Sequence, residues 1–182
     1  MKAADLEQLK FPIGPYKIPE VITSKTIDGW IQEIEDFPTH IKRLTRDLSD
    51  EQLNWKYRPE GWSIKQVVHH CVDSHMNSII RFKLALTEDN PTIRPYFEDR
   101  WAKLNVGLEN DLNDSLDLLT ALHSKLGKLL RSITKDELSK TFQHPEYGAQ
   151  FRIDETIGNY AWHGKHHTAH IEQALRYKGT FN

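Results

Sequence analysis

Hydrophobic residues recur every three to four positions over four long stretches of the chain, the spacing of an amphipathic helix. The pattern predicts helices over Thr26 to about Asp47, Ser63 to about Thr87, Asp114 to Ile133, and Asp154 to Lys178. Pro38 lies inside the first stretch and is expected to kink it. Four long helices joined by loops are typical of a four-helix bundle, so the predicted fold class is all-α.

The segments between these helices predict little further regular structure. Residues 1–25 are interpreted as an extended N-terminal arm, because prolines stand at positions 12, 15 and 19. Residues 142–151 contain turn residues between two short β-prone runs, which predicts a small hairpin before the last helix. No repeat or change of composition divides the chain, so residues 1–182 are predicted to form a single helical domain.

Composition and charge exclude several classes of protein. Mean hydropathy is −0.64, and no window approaches the roughly 18 apolar residues of a membrane helix, so no membrane partner is expected. The 24 Lys and Arg residues are scattered and are outnumbered by 26 Asp and Glu residues, so no nucleic-acid surface is expected either. The N-terminus lacks the apolar run of a signal peptide. A single cysteine, Cys71, cannot form an internal disulfide, and the cytoplasm is the expected location.

Ten histidines in 182 residues require an explanation. Seven of them lie on two predicted helices: His69, His70 and His75 on the second, and His163, His166, His167 and His170 on the last. Imidazole is a common ligand of zinc, nickel and iron, and the interior of a helical bundle is a common place for such sites. The question is therefore which of the seven can meet at one point.

Helical geometry ranks the histidines of the last helix. With Ile157 at the centre of the apolar face and about 100° per residue, His167 lies about 80° and His163 about 120° to the same side. His170 lies farther round, and His166 lies opposite the core. Because His163 and His167 are an i, i+4 pair, their rings lie one above the other and can share a metal ion. His163 and His167 are the preferred pair, and His166 with His170 is the weaker alternative.

The second helix leaves two candidates. With Ile64 as the centre, His70 lies about 120° to one side, on a flank that matches that of His163, and His69 lies about 140° to the other side. His75 points into the core, where a histidine is more often a hydrogen-bonded core residue than a ligand. His70 therefore ranks first and His75 second.

Two sequence stretches resemble the metal motifs of a known family. Gly61-Trp62-Ser63-Ile64-Lys65-Gln66-Val67-Val68-His69-His70 resembles the first metal motif of the DinB-like superfamily, and Tyr160-Ala161-Trp162-His163-Gly164-Lys165-His166-His167 resembles the second. The similarity is greatest to the YfiT-type branch, whose members are described as metal-dependent hydrolases and are linked to bacillithiol S-transferases. Phe11-Pro12-Ile13-Gly14 and the turn His144-Pro145-Glu146 also match that branch.

The resemblance implies a four-helix bundle that holds one divalent metal ion per chain on His70, His163 and His167. Zinc is the first expectation for this ion and nickel the second. The resemblance also implies a homodimer. Three neutral ligands leave coordination positions free, which is typical of a catalytic metal. Such an ion can generate a thiolate from a low-molecular-weight thiol, which gives an S-transferase acting on a thiol and an electrophile. Alternatively it can generate a hydroxide, which gives a hydrolase, or the bundle can bind metal without catalysis, for example as a stress-related protein.

The known activity of the branch favours thiol transfer. Asp73 and Glu172 are the nearest carboxylates along the chain, but neither is well placed on its helix to act as the general base that a hydrolase needs. Arg81 lies on the same flank as His70 and is a candidate for binding a carboxylate of the thiol; the alternative is a surface ion pair with Glu88 or another carboxylate. Tyr160 is a candidate for the wall of the substrate pocket or, alternatively, a core residue.

Overall fold

The structure, a computed structural model, describes residues 3–181; Met1, Lys2 and Asn182 lie outside the described residues. Within that range the helices are α1 (Ala3–Lys10), α2 (Ser24–Thr45), α3 (Asp50–Leu53), α4 (Ile64–Thr87), α5 (Glu98–Trp101), α6 (Asn113–Arg131) and α7 (Ile153–Tyr177). Two single turns of 3-10 helix, Asn105–Gly107 and Glu137–Ser139, precede and follow α6. None of these helices has both the length and the apolar composition that crossing a membrane requires.

The four long helices form the predicted four-helix bundle. Both α2 and α4 pack against α6 and against α7, so α2 and α4 occupy opposite corners of the bundle and α6 and α7 occupy the other two. The chain therefore joins diagonal corners twice, through residues 46–63 and through residues 132–152. The all-α prediction is confirmed, with the hairpin as its small β addition.

The helix ends follow from local chemistry. At the start of α4, the Gln66 side chain accepts a hydrogen bond from the Ser63 backbone N–H at 3.1 Å, as the capping-box pattern predicts. At the end of α7, Lys178 and Gly179 both have positive φ, which stops the helix where the sequence places a glycine. Helix α7 begins one residue before the predicted start at Asp154, and the Asp154 carboxylate pairs with Arg152 at 2.6 Å.

The hairpin consists of β1 (Thr141–His144) and β2 (Ala149–Arg152), which pair antiparallel with Thr141 opposite Arg152. Gly148 in the turn has φ +59°, a conformation that glycine adopts without strain. Phe142 of β1 is buried against the bundle. The hairpin thus closes one end of the bundle immediately before α7 begins.

The prediction of an extended arm over residues 1–25 is wrong for Ala3–Lys10, which form α1. This segment contains no proline, glycine or β-branched residue, and a helix ends naturally before Pro12. Tertiary contact stabilises this short helix: the Gln173 side chain of α7 donates a hydrogen bond to the Leu9 carbonyl at 2.9 Å. Residues 11–23 are irregular, as predicted, and lie along α7, whereas Ser24 and Lys25 already belong to α2.

The apolar core is divided into two clusters. One contains Ile34, Phe82 and Leu126, and the other contains Phe37, Cys71 and Leu119. The buried histidines at positions 75 and 123 fall between these clusters along α4 and α6. A layer of histidines therefore crosses the middle of the bundle, and the candidate site belongs to this layer.

Candidate metal centre

Three histidines from two helices converge at the α4–α7 contact. They are His70, His163 and His167, and one ring nitrogen of each lies within 4.8 Å of the others. The ring centroids are 4.4 Å apart for His163 and His167, and 4.8 Å apart for His70 and His167. The structure thus brings together the three residues that the helical geometry and the family resemblance selected.

The local sequence explains how these rings approach one another. His163 and His167 are one turn apart on α7, so both project from one flank of that helix. His70 lies in the second turn of α4, where the Trp62 ring packs against it with centroids 4.6 Å apart. Gly164 lies between the two α7 histidines, and a Cβ there would come within 3.0 Å of the Phe37 ring. Glycine therefore allows α2 to pack closely behind the histidines.

All three imidazoles are held in the neutral form. Burial lowers the pKa of His70 to about 4, with a further contribution from the nearby His166 ring. Burial and the neighbouring histidines hold the pKa values of His163 and His167 well below the usual range. At neutral pH each ring therefore keeps a free lone pair, which is the form that binds a metal.

The donor set fits a divalent transition metal. Three neutral nitrogens suit zinc, nickel or iron, and three protein ligands leave at least one coordination position for another molecule. Over the described residues, no Cys, Asp or Glu joins the cluster. The residues present therefore match a catalytic type of site more closely than a closed structural one.

His75, the second choice on α4, is a core residue in direct contact with the cluster. It is 1% exposed, its Nδ1 lies 2.6 Å from Nε2 of His123, and its Nε2 lies 3.0 Å from Nδ1 of His163. His123 of α6 was not predicted as a site residue, because the leucine spacing of that helix identifies its apolar face but not a role for the histidine on it. His75 therefore supports His163 and does not belong to the three-nitrogen cluster.

The position of His166 corrects the helical-wheel prediction. His166 was expected to point away from the core, yet it is only 7% exposed. The rings of Phe11 and Trp162 pack against it, and the Trp162 indole donates to the Gly14 carbonyl at 3.1 Å. The outward face of α7 is thus covered by the N-terminal segment, which a wheel of an isolated helix does not take into account.

The remaining histidines of the two helices have protein partners. The His69 ring nitrogens lie 2.8 Å from the Ser115 hydroxyl and 3.1 Å from the Glu109 carbonyl. His170 stacks on the Tyr57 ring and lies 3.0 Å from the Lys10 carbonyl. Neither is part of the three-nitrogen cluster.

A cleft of about 620 Å³ leads from His163 to the hairpin. The two predicted substrate-binding residues line it: Arg81 donates a hydrogen bond to the Tyr160 hydroxyl at 3.3 Å. The Nε of Arg81 and the Nδ1 of His144 are buried and have no hydrogen-bond partner. Tyr96 also lines the cleft. Tyr96 lies on the segment between α4 and α5, where sequence periodicity gave no signal, and His144 is the last residue of β1.

The alternative interpretation of Arg81 as a surface ion pair is not supported. None of the ion pairs of the described residues involves Arg81, with Glu88 or with any other carboxylate. Tyr160 is 4% exposed, so it is both a core residue and a wall of the cleft. Arg81 therefore places a partly buried positive charge in a cleft that His163 of the cluster also lines.

Comparison with known proteins agrees with this geometry. The family model of the DinB superfamily matches residues 33–171, a range that includes all three clustered histidines. The chain belongs to the DinB superfamily. The family membership that the two histidine motifs predicted is therefore confirmed.

Individual members of the superfamily are similar over nearly the whole chain. Proteins of Bacillus cereus strain 03BB102 and Bacillus mycoides strain KBAB4, both named "Putative metal-dependent hydrolase", are 52% identical over 167 residues, which is 91% of this chain and 95% of theirs. The solved structure of YfiT from Bacillus subtilis has a TM-score of 0.92 and 42% identity, covering 96% of this chain and 99% of that one. YfiT is described as a probable metal-dependent hydrolase with an unusual four-helix bundle topology.

Proposed function

We propose that the protein is a metal-dependent enzyme in which His70, His163 and His167 hold one divalent ion. The observation that carries the proposal is the convergence of three buried, neutral imidazoles within 4.8 Å, with no other metal-ligand side chain of the described residues in the cluster. The names of the superfamily relatives support a metal-dependent activity. Zinc is the first choice for the ion and nickel the second.

The proposed reaction is the transfer of a low-molecular-weight thiol of the bacillithiol type to an electrophile. A divalent ion at such a site lowers the pKa of a thiol that contacts it, so that the reactive thiolate forms at neutral pH. The thiol proton leaves to solvent, an S–C bond forms, and the leaving group departs with the electron pair of its bond to carbon. Neither Asp73 nor Glu172 belongs to the cluster. Thiol transfer needs no carboxylate base. Because Glu98, Glu146 and Glu155 line the cleft beside His163, the preference for thiol transfer over hydrolysis rests on the family resemblance.

Arg81 is proposed to bind a carboxylate of the thiol. Its guanidinium lines the cleft, donates to the Tyr160 hydroxyl and has a buried Nε without a partner. A carboxylate in the cleft would satisfy this donor with a charge-assisted hydrogen bond. Tyr160 would keep the guanidinium turned toward the cleft. This arrangement supports a thiol that carries at least one carboxylate.

The test is a transfer assay with monobromobimane and several thiols, run with the metal-loaded protein and after chelation. Transfer is expected only with metal, and it should be fastest with a carboxylate-bearing thiol. His70→Ala should lower the rate at least about 100-fold, because a catalytic metal supplies several kcal/mol of transition-state stabilisation. His69→Ala is the matched control, since the neighbouring His69 contacts Ser115 and not the cluster.

Two outcomes would refute thiol transfer and favour another function. Transfer that survives full removal of metal would exclude the ion from the mechanism and favour a binding protein. Metal-dependent cleavage of esters or amides without thiol transfer would favour the hydrolase, the activity that the relatives' names describe. Metal analysis of the purified protein identifies the ion.

Arg81 has its own test within the same assay. Arg81→Ala should raise KM for the thiol about tenfold or more with a smaller effect on kcat, because a hydrogen bond to a charged group contributes about 1.5–3 kcal/mol. Arg81→Lys should restore part of this loss, since lysine keeps the charge but not the planar fork. An unchanged KM in Arg81→Ala would remove Arg81 from substrate binding.

We also propose that the protein is a homodimer and acts in the cytoplasm. The dimer is supported by the family resemblance, and the reducing compartment by the single buried cysteine, Cys71. Light scattering coupled to size exclusion tests the dimer: a mass near 21 kDa, that of one chain, would refute it.

A further inference from the structure

The carbonyl of Ile34 has lost its normal partner inside helix α2. Pro38, four residues later, has no backbone N–H and cannot donate the helical hydrogen bond to this oxygen. The Nδ1 of His123 lies 2.6 Å from the same oxygen. Since a carbonyl only accepts hydrogen bonds, the proton of this contact belongs to His123, and the neutral His123 ring carries it on Nδ1.

This assignment fixes the donor and the acceptor in the hydrogen bonds that lead from His123 through His75 to His163. With its proton on Nδ1, His123 accepts at Nε2, where the Nδ1 of His75 lies 2.6 Å away. His75 therefore donates from Nδ1 and accepts at Nε2, which lies 3.0 Å from the Nδ1 of His163. His163 must then carry its proton on Nδ1. Its Nε2 keeps the lone pair.

A second chain of hydrogen bonds gives the same result for His167. The Nε2 of His170 lies 3.0 Å from the Lys10 carbonyl, at the end of α1, and must be the donor. The Nδ1 of His170 then accepts from the Nδ1 of His167, 3.3 Å away. Both α7 histidines of the cluster are thus held as the tautomer with a proton on Nδ1, each through a chain that ends on a backbone carbonyl.

We propose that His75 and His123 are positioning residues that fix the tautomer of His163, and that the Ile34 carbonyl freed by Pro38 sets the direction of this chain. The inference rests on the proposed function in so far as His163 binds a metal through Nε2. A neutral imidazole has a single lone pair, so the wrong tautomer presents an N–H to the ion and must exchange its proton before it can bind.

The direct test is the ring-nitrogen NMR spectrum of the histidines in the metal-free protein at neutral pH. His163 is expected to show the Nδ1–H tautomer before any metal is added, and to keep it when zinc is bound. An Nε2–H tautomer of His163 in the metal-free wild type would overturn the proposal. This measurement needs neither activity nor metal, so its failure is distinguishable from failure of the proposed function.

Variants of His123 separate positioning from packing. His123→Phe keeps a ring but has no polar atom, whereas His123→Gln keeps a donor and an acceptor at a similar separation. We expect His123→Phe to produce a tautomer mixture at His163 and to weaken zinc binding about 10- to 100-fold, the usual effect of removing such an outer partner. His123→Gln should restore the Nδ1–H tautomer and bind zinc within a few-fold of the wild type.

His69→Phe is a matched control. His69 is a buried histidine of α4 whose replacement also removes two hydrogen bonds, but it does not belong to the hydrogen-bond chain that leads to His163. It should leave zinc affinity, measured by competition with a chromogenic chelator, unchanged. If His123→Phe binds zinc as tightly as the wild type and the tautomer of His163 is unchanged, the positioning role of His75 and His123 is refuted. Absence of zinc and nickel binding in the wild type would instead refute the metal site itself.

Discussion

Lowering the pH from 7.5 to 5.5 is expected to remove much of the folding free energy of the metal-free protein. Burial lowers the pKa of His70 and of His123 to about 4, and that of His170 to about 3, from the ordinary value of 6.5. As the pH falls through 6.5, the unfolded chain takes up protons at these positions and the folded chain does not. The stability is therefore complete above pH 6.5 and declines below it, until the folded histidines themselves titrate near pH 4.

The magnitude follows from the distance to the unfolded pKa. At pH 5.5, one unit below it, each such histidine costs about 1.4 kcal/mol, so these three together cost about 4 kcal/mol. Domains of this size are stable by roughly 5–15 kcal/mol, so the loss is a large share of the total. Bound metal, which holds its ligands neutral, is expected to oppose the unfolding wherever it remains bound.

The assay is urea unfolding at pH 7.5 and 5.5 in the presence of a chelator, followed by far-UV circular dichroism. His123→Gln should reduce the pH-dependent loss by about 1.4 kcal/mol, the contribution of one histidine. His40→Gln, at an exposed position of α2, should leave the loss unchanged. A loss below about 1 kcal/mol in the wild type, or one that His123→Gln does not reduce, would refute the reasoning.

Two further predictions concern the bundle itself. Chelation at pH 7.5 should lower Tm by several degrees but keep the helical circular-dichroism signal, because the two apolar clusters bury their side chains without the metal; loss of helicity would contradict a preformed site. Gly158→Ala should destabilise the protein by about 1–3 kcal/mol, since its Cβ would come within 2.8 Å of the Trp30 ring. The control, Gly29→Ala, has nothing within 4 Å of its Cβ and should stabilise α2 by about 0.5–1 kcal/mol in the same urea titration.

The elements that were predicted correctly are those determined by residues close together in the sequence. The capping box at Ser63 and the helical period after it identify α4, and the turn residues around Gly148 identify the hairpin. His163 and His167 could be paired because their separation of one helical turn is a property of α7 alone. Choosing His70 over His75 needed the family resemblance as well, since the wheel only ranked them.

The features that the sequence did not reveal depend on contacts between distant segments. His166 is buried because Phe11 packs on it, and no pattern within α7 encodes that neighbour. The hydrogen-bond chain through His123 requires α2, α4 and α6 to meet. The sequence therefore does not show that Pro38 leaves the Ile34 carbonyl free to accept from His123. Helix α1 is too short for periodicity to identify it, and contacts with α7 stabilise it.

The docking of α1 on α7 also has a consequence for the order of folding. The hydrogen bond from His170 to the Lys10 carbonyl joins residues 160 positions apart, so α1 can form this contact only after α7 has been synthesised. During translation the earlier helices can associate while the segment that covers His166 is still unanchored. The bond that orients His170, and through it His167, therefore forms only when α7 has been made.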